Sequence, residues 1–128
     1  MFLSALAGGT CLMRAAVGDI VRAPGGTQLM DALLDESRAI AAAAGFAPRA
    51  RFLEWAHGLL TAAGSSFTAS MLRDVENHNP IEADHIIGDL IRRGTATGAL
   101  PGDGSLLRLV FTNLKAYEAR LAHGQPTA

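Results

Sequence analysis

The sequence Asn77-His78-Asn79-Pro80 limits what this chain can form more than any other feature. Proline lacks an N–H and disfavours helical geometry in the residue before it, so a helix through Ser70-Met71-Leu72-Arg73-Asp74 must stop there. A second helix restarts through Ile81-Glu82-Ala83-Asp84-His85-Ile86-Ile87-Gly88. The break folds the chain back and sets a hydroxyl, Ser70, and a carboxylate, Glu82, on the two arms of one helical corner. Two polar groups so placed can line a small-molecule cleft, and both are expected to face the same one.

The rest of the chain reads as helix, punctuated in the same way. Phe2 to Ala16 is apolar, with Gly8 and Gly9 allowing another backbone to come close. Gly18-Asp19-Ile20 and Pro24-Gly25-Gly26 then interrupt it. Thr27 is placed to cap Gln28 to Ala44, with Leu29, Leu33 and Ile40 on an apolar face and Asp31, Asp35, Glu36 and Arg38 on a wet one. Pro48 opens a helix carrying Phe52, Trp55, Leu59 and Leu60, which ends near Gly64. Ser65 or Ser66 is placed to cap the helix bearing Ser70. Asn79 is placed to cap the next, with Pro80 at its first position and Glu82 at its third, and this helix runs to about Gly98. Gly102 to Gly104 makes a break. The last helix runs from about Ser105 to His123, with Leu107, Val110, Leu114 and Leu121 on one face. No segment alternates as a strand. The expected fold is all-α, a single helical domain over residues 1–123 with a loose tail over 124–128.

Composition removes several function classes. The 128 residues are 49% hydrophobic and 18% charged, enough for a core and unlike a disordered chain. Eleven Lys and Arg stand against twelve Asp and Glu without a basic run, so no nucleic-acid partner is expected. Cys11 is the single cysteine, which excludes an internal disulfide and fits a reducing, cytoplasmic setting. The apolar segment Met1 to Met13 has no positive charge before it, unlike a secretory signal. It is also well short of the roughly 20 residues that span a membrane, and no membrane partner is expected. The chain opens inside this segment with no capping residue, as the middle of something longer would. The helix it forms is expected to show a partly exposed apolar strip, which leaves room for a homodimer.

Each candidate site residue has a structural reading beside a functional one. Glu82 lies three residues after Asn79, the spacing of a capping box, in which its carboxylate would reach back to an orphan amide. A carboxylate near a helix start can equally hold a cationic group. Ser70 reads either as a small packing residue or as a ligand contact, and Arg73 and Asp74 as surface residues. Ser70, Asp74 and His78 fall on one helical face, yet serine and histidine would be about 12 Å apart along the axis. That is too far for a proton relay, which needs contact near about 3 Å. Glu82 and His85 make one Glu-x-x-His pair, and a di-iron bundle uses two with two further glutamates, so no metal site is expected. His57 and His123 are isolated. There is no glycine-rich dinucleotide fingerprint, phosphate loop or nucleophile elbow.

The block from Ser70 to Gly88 resembles the C-terminal domain of the ketopantoate reductases (2-dehydropantoate 2-reductases). Further likeness lies in Leu6-Ala7-Gly8-Gly9-Thr10-Cys11-Leu12-Met13-Arg14-Ala15 with Gly18-Asp19-Ile20, in Ala41-Ala42-Ala43-Ala44-Gly45, and in Arg92-Arg93-Gly94. The resemblance implies a helical domain like that of 6-phosphogluconate dehydrogenase, partnered by an N-terminal Rossmann domain that binds NADPH and is absent from this chain. It implies reduction of ketopantoate, or a related 2-keto acid, to the 2-hydroxy acid, on the route to pantothenate and coenzyme A. By position, Ser70 resembles the serine that binds substrate. Glu82 resembles the catalytic glutamate that interacts with the proton-donating lysine and with substrate. That lysine would stand just before Met1, and Lys115 is on the wrong helix to replace it. Asparagines of the family's first helix would fall near Leu3 and Ala7, and another polar contact near Phe67, where this chain is apolar.

By this reading the chain is the substrate-side domain of an NADPH-dependent reductase, inactive alone and unable to bind NADPH alone. The alternative is a non-catalytic helical oligomerisation or interaction module.

Overall fold

A computed structural model describes residues 1–100 and 102–124. Seven α-helices and one π-helical turn make up the regular structure of the described residues, with no strand among them. They are α1 (Phe2–Met13), α2 (Val17–Arg22), α3 (Gly26–Ala43), α4 (Ala50–Leu60) and α5 (Ser70–Glu76). The π turn (Asp84–Gly88) follows and runs directly into α6 (Asp89–Thr97), and α7 (Leu106–Ala122) completes the bundle. The all-α expectation holds. Of the tail 124–128 expected to be loose, residues 125–128 lie outside the described residues.

Helix α1 is the axis of the bundle and touches every other helix group except α6 closely. Its unbroken stretch Ser4 to Cys11 is buried, which corrects the expectation of an exposed apolar strip. Small residues explain the difference. A Cβ on Gly8 would meet Val110 of α7 at 3.4 Å, and one on Gly9 would lie 2.3 Å from the Met30 sulfur of α3. The two neighbours have therefore closed over the helix, leaving Leu3 and Met13 exposed near its ends. The core adds Leu33, Ile40, Leu60, Leu72, Ile87, Leu107, Val110 and Leu114. Buried hydroxyls are satisfied locally: Thr10 donates to the Leu6 carbonyl at 2.7 Å and Ser37 to that of Leu33 at 3.0 Å.

Several helix boundaries differ from expectation for identifiable reasons. Helix α1 stops at Met13 because Arg14 takes the left-handed conformation. The interruption at Gly18-Asp19-Ile20 is itself a short helix. Gly25, also left-handed, precedes α3, which begins at Gly26 with no side-chain cap from Thr27. Trp55 lies half out of the core, its ring 4.9 Å from that of Phe2 and 5.7 Å from that of Phe52. Gly98 ends α6 in the left-handed conformation, as its position suggests. No helix among the described residues is long and apolar enough to cross a membrane.

Ser105, the expected start of the last helix, caps α7 by accepting from the Arg108 amide at 3.2 Å. Glu36 of α3 does more. It accepts the Ser105 hydroxyl at 2.7 Å and the Leu106 and Leu107 amides at 2.7 and 3.0 Å. A residue expected on the wet face is thus a long-range cap that also meets the positive end of the α7 dipole. Glu36→Ala should destabilise the fold by about 1–3 kcal/mol. Thermal unfolding should show this as a melting temperature lower by roughly 5–10 °C, whereas Asp35→Ala, one residue away and exposed, should change little.

Burial pushes the Cys11 thiol up to about 12, with Arg14 opposing and Asp74 and Glu76 adding to the rise. The reactive thiolate is therefore scarce in the folded chain. Iodoacetamide at pH 8 should leave Cys11 unmodified until denaturant is added. The raised value favours the fold below the unfolded thiol's 9.0, and that contribution should fade as pH climbs from 9.0 toward 12. Cys11→Ala should flatten that part of the alkaline loss of stability.

Candidate functional site

The corner forms from three pieces. First, residues 65–69 run as an extended strap between α4 and α5. The strap is tied to α2: the Val17 amide donates to the Phe67 carbonyl at 3.0 Å and the Gly18 amide to that of Ser65 at 2.9 Å. Two orphan donors of the α2 start are thereby satisfied, and the strap is held in place. Ser65 does not cap α5 as expected. Its hydroxyl accepts from the Phe67 amide at 3.1 Å, and Ala69 precedes a helix whose first residue is Ser70.

Second, the Asn77-to-Pro80 break turns the chain through His78, which is left-handed with φ 60°. The Asn79 amide donates to the Asp74 carbonyl at 2.8 Å, and the Asn79 carbonyl accepts from the Tyr117 hydroxyl of α7. These bonds overturn the capping-box reading. The amide that Glu82 would have reached is already taken, and helical structure resumes only at Ala83. Glu82 instead extends its carboxylate into solvent, 71% exposed, with Oε2 3.7 Å from Nε2 of His85.

Third, the π turn closes a wider ring than an α-helix, with the Asp89 amide reaching the Asp84 carbonyl. Nothing in the sequence pattern announces it. His85 on this turn lies between Glu82 and Asp89, the latter 4.0 Å from its Nδ1. Lys115 of α7 holds the turn from the side, 3.2 Å from Asp84 and 2.6 Å from Glu118. Those hydrogen bonds, Glu118 first and Asp84 second, push the lysine's pKa up and keep it an ammonium. Proton transfer is most efficient when the donor's pKa lies near the working pH, and this rise moves Lys115 further from it.

Ser70 and Glu82 line one small cleft of about 110 Å³, together with Asp74, Pro80, Ile81 and Ile86. The two residues expected at one site do meet there. A second hollow of about 190 Å³ adjoins it and shares Ser70, Met71 and Ile86. Its remaining wall is apolar except for Thr68: Leu3, Leu6 and Ala7 of α1, and Phe67, Thr68 and Ala69 of the strap. Among the described residues the Ser70 hydroxyl makes no hydrogen bond, so it is free to meet a ligand from either side. His57, expected to be isolated, pairs with Asp31 at 2.6 Å and fastens α4 to α3, far from this corner in the sequence. No group of three or more His, Cys, Asp or Glu side chains is disposed to hold a metal ion among the described residues. The Rossmann mode of dinucleotide binding uses a strand, a glycine turn and a helix start, and no strand occurs among the described residues.

The described residues thus form a helical domain with Ser70 and Glu82 on one cleft. The chain belongs to the ketopantoate reductase PanE/ApbA C-terminal family, which it matches over residues 1–117. It is also 30% identical over 120 residues to the uncharacterized oxidoreductase YkpB of Bacillus subtilis (strain 168). That similarity covers 93% of this chain and 38% of the relative, so the chain spans well under half of the relative's length. No solved structure matches significantly.

The strap predicts its own test. A Cβ on Gly18 would lie 2.6 Å from the Ser65 nitrogen and 2.7 Å from its carbonyl oxygen, a backbone clash that no rotamer relieves. Gly18→Ala should release the strap, and hydrogen exchange at the Val17 and Gly18 amides should quicken at least about tenfold.

Proposed function

We propose that this chain is the substrate-side domain of an NADPH-dependent 2-keto acid reductase, working in the cytoplasm on ketopantoate or a related acid. The observation that carries the reading is the convergence of Ser70 and Glu82 on one cleft, with the glutamate carboxylate not used as a helix cap. In the ketopantoate case the product would feed pantothenate and coenzyme A synthesis. The cofactor would be held by a Rossmann domain outside this chain, facing the cleft.

The roles follow from charge. A cleft lined by Glu82 and Asp74 repels a carboxylate substrate on its own. Glu82 therefore does not bind the acid directly; it holds a cationic proton donor contributed from outside these residues, between itself and the substrate carbonyl. The Ser70 hydroxyl donates to the substrate and fixes its orientation. Reduction needs the hydride donor, the acid and the oriented substrate together, so the chain alone should consume no NADPH.

Joining the domain to a dinucleotide-binding domain that brings a lysine to the junction should give NADPH consumption with at least one member of a 2-keto acid panel. In that protein Glu82→Ala should lower kcat roughly a hundredfold, because the proton donor is misplaced in the transition state. Ser70→Ala should chiefly raise KM, by about tenfold. No turnover with any acid overturns the reductase reading. The exposed apolar side chains Leu3, Trp55 and Phe67 then favour an assembly module instead.

A further inference from the structure

The cleft has two chemically different halves, and Ser70 stands on their border. On one side are the carboxylates Glu82 and Asp74. On the other is a hollow of about 190 Å³ walled by Leu3, Leu6, Ala7, Phe67 and Ile86. A cavity needs about 10–15 Å³ of such space to admit one water, so the hollow is large enough for a small substituent. Its walls offer no side-chain donor or acceptor except at the Ser70 and Thr68 edge. A hydroxyl placed deep in it would lose its water and find no partner, whereas a hydrocarbon would lose only water contacts.

We infer that the apolar hollow receives the substituent of the 2-keto acid, and that this domain selects acids with a branched or aromatic hydrocarbon substituent over hydroxylated ones, which places ketopantoate, itself hydroxylated, behind a related acid without the hydroxyl. The inference rests on the reductase reading and adds the substrate class. The carbonyl end is oriented at Ser70 toward Glu82. Met71 and Ile86 line both cavities, so a substituent on the other side can extend past them into the hollow. Leu3 and Phe67 also line the hollow, and Leu3 is 68% exposed on a helix otherwise buried along most of its length.

Neutral ketones separate this selectivity from the handling of the acid's charge. The probes are acetone, 4-methyl-2-pentanone and 4-hydroxy-4-methyl-2-pentanone, titrated into the ¹⁵N-labelled full chain and followed by amide chemical shifts. A buried methylene is worth about fourfold in affinity. In a hollow open on one side, 4-methyl-2-pentanone should bind about tenfold tighter than acetone and than its hydroxylated analogue, with shifts centred on Phe67 to Met71. Leu3→Gln and Phe67→Ser, both at exposed positions, should erase that preference while the spectrum stays that of the folded chain. Equal binding of the hydroxylated ketone overturns the apolar selection and leaves the reductase reading standing. No saturable shift with any ketone overturns the subsite. Retained preference in both variants does the same. Tight ketone binding combined with no reductase turnover in the joined protein keeps the apolar subsite and removes the keto acid from it.

Discussion

Close approach around α1 is the constraint on which the rest of the structure depends. Two adjacent glycines let Met30 and Leu33 of α3 and Val110 of α7 come against the helix backbone, where a side chain would hold them off. Contact at that distance recovers dispersion energy that a looser bundle forfeits. It also sets the positions of everything that leaves the centre. Helix α3, drawn in by Gly9, carries Glu36 to the start of α7. Helix α7 in turn carries Tyr117 to the break after α5 and Lys115 to the π turn. The cleft is therefore built from the outside of the same helix whose inside makes the core, with Leu6 and Ala7 serving both.

Local chemistry made much of the fold legible. Pro80 and Gly98 mark boundaries through their own backbone properties and Ser105 through its hydroxyl, and each boundary falls within a few residues of expectation. What could not be read was any boundary settled by a distant partner. Glu36 looks like a solvated acid until α7 is beside it. Asn79 and Glu82 make a good capping box on paper, but Asp74 and Tyr117 take the Asn79 amide and carbonyl first. The strap shows the same limit: Ser65 and Ser66 are competent caps, yet the α2 amides compete for the segment and hold it extended.

At the site, residue types were more informative than positions. Leu3, Ala7, Phe67 and Ser70 lie in three separate stretches of the sequence, and only the fold shows that they border one hollow. Their apolar character departs from the polar contacts that the family resemblance places at Leu3, Ala7 and Phe67, while Ser70 and Glu82 keep the matching types.

The tie between the strap and α2 has a consequence for the energetics of recognition. Extended surface segments ordinarily sample many conformations, and a ligand that needs one of them must bear the entropy of freezing the rest. Here the Val17 and Gly18 amides have already frozen the backbone leading to Ser70. They do so with bonds that α2 would otherwise have had to make to water. The ordering that recognition usually demands at the moment of contact is thus completed during folding. The small hollow beside Ser70 is presented to each ligand as a finished shape.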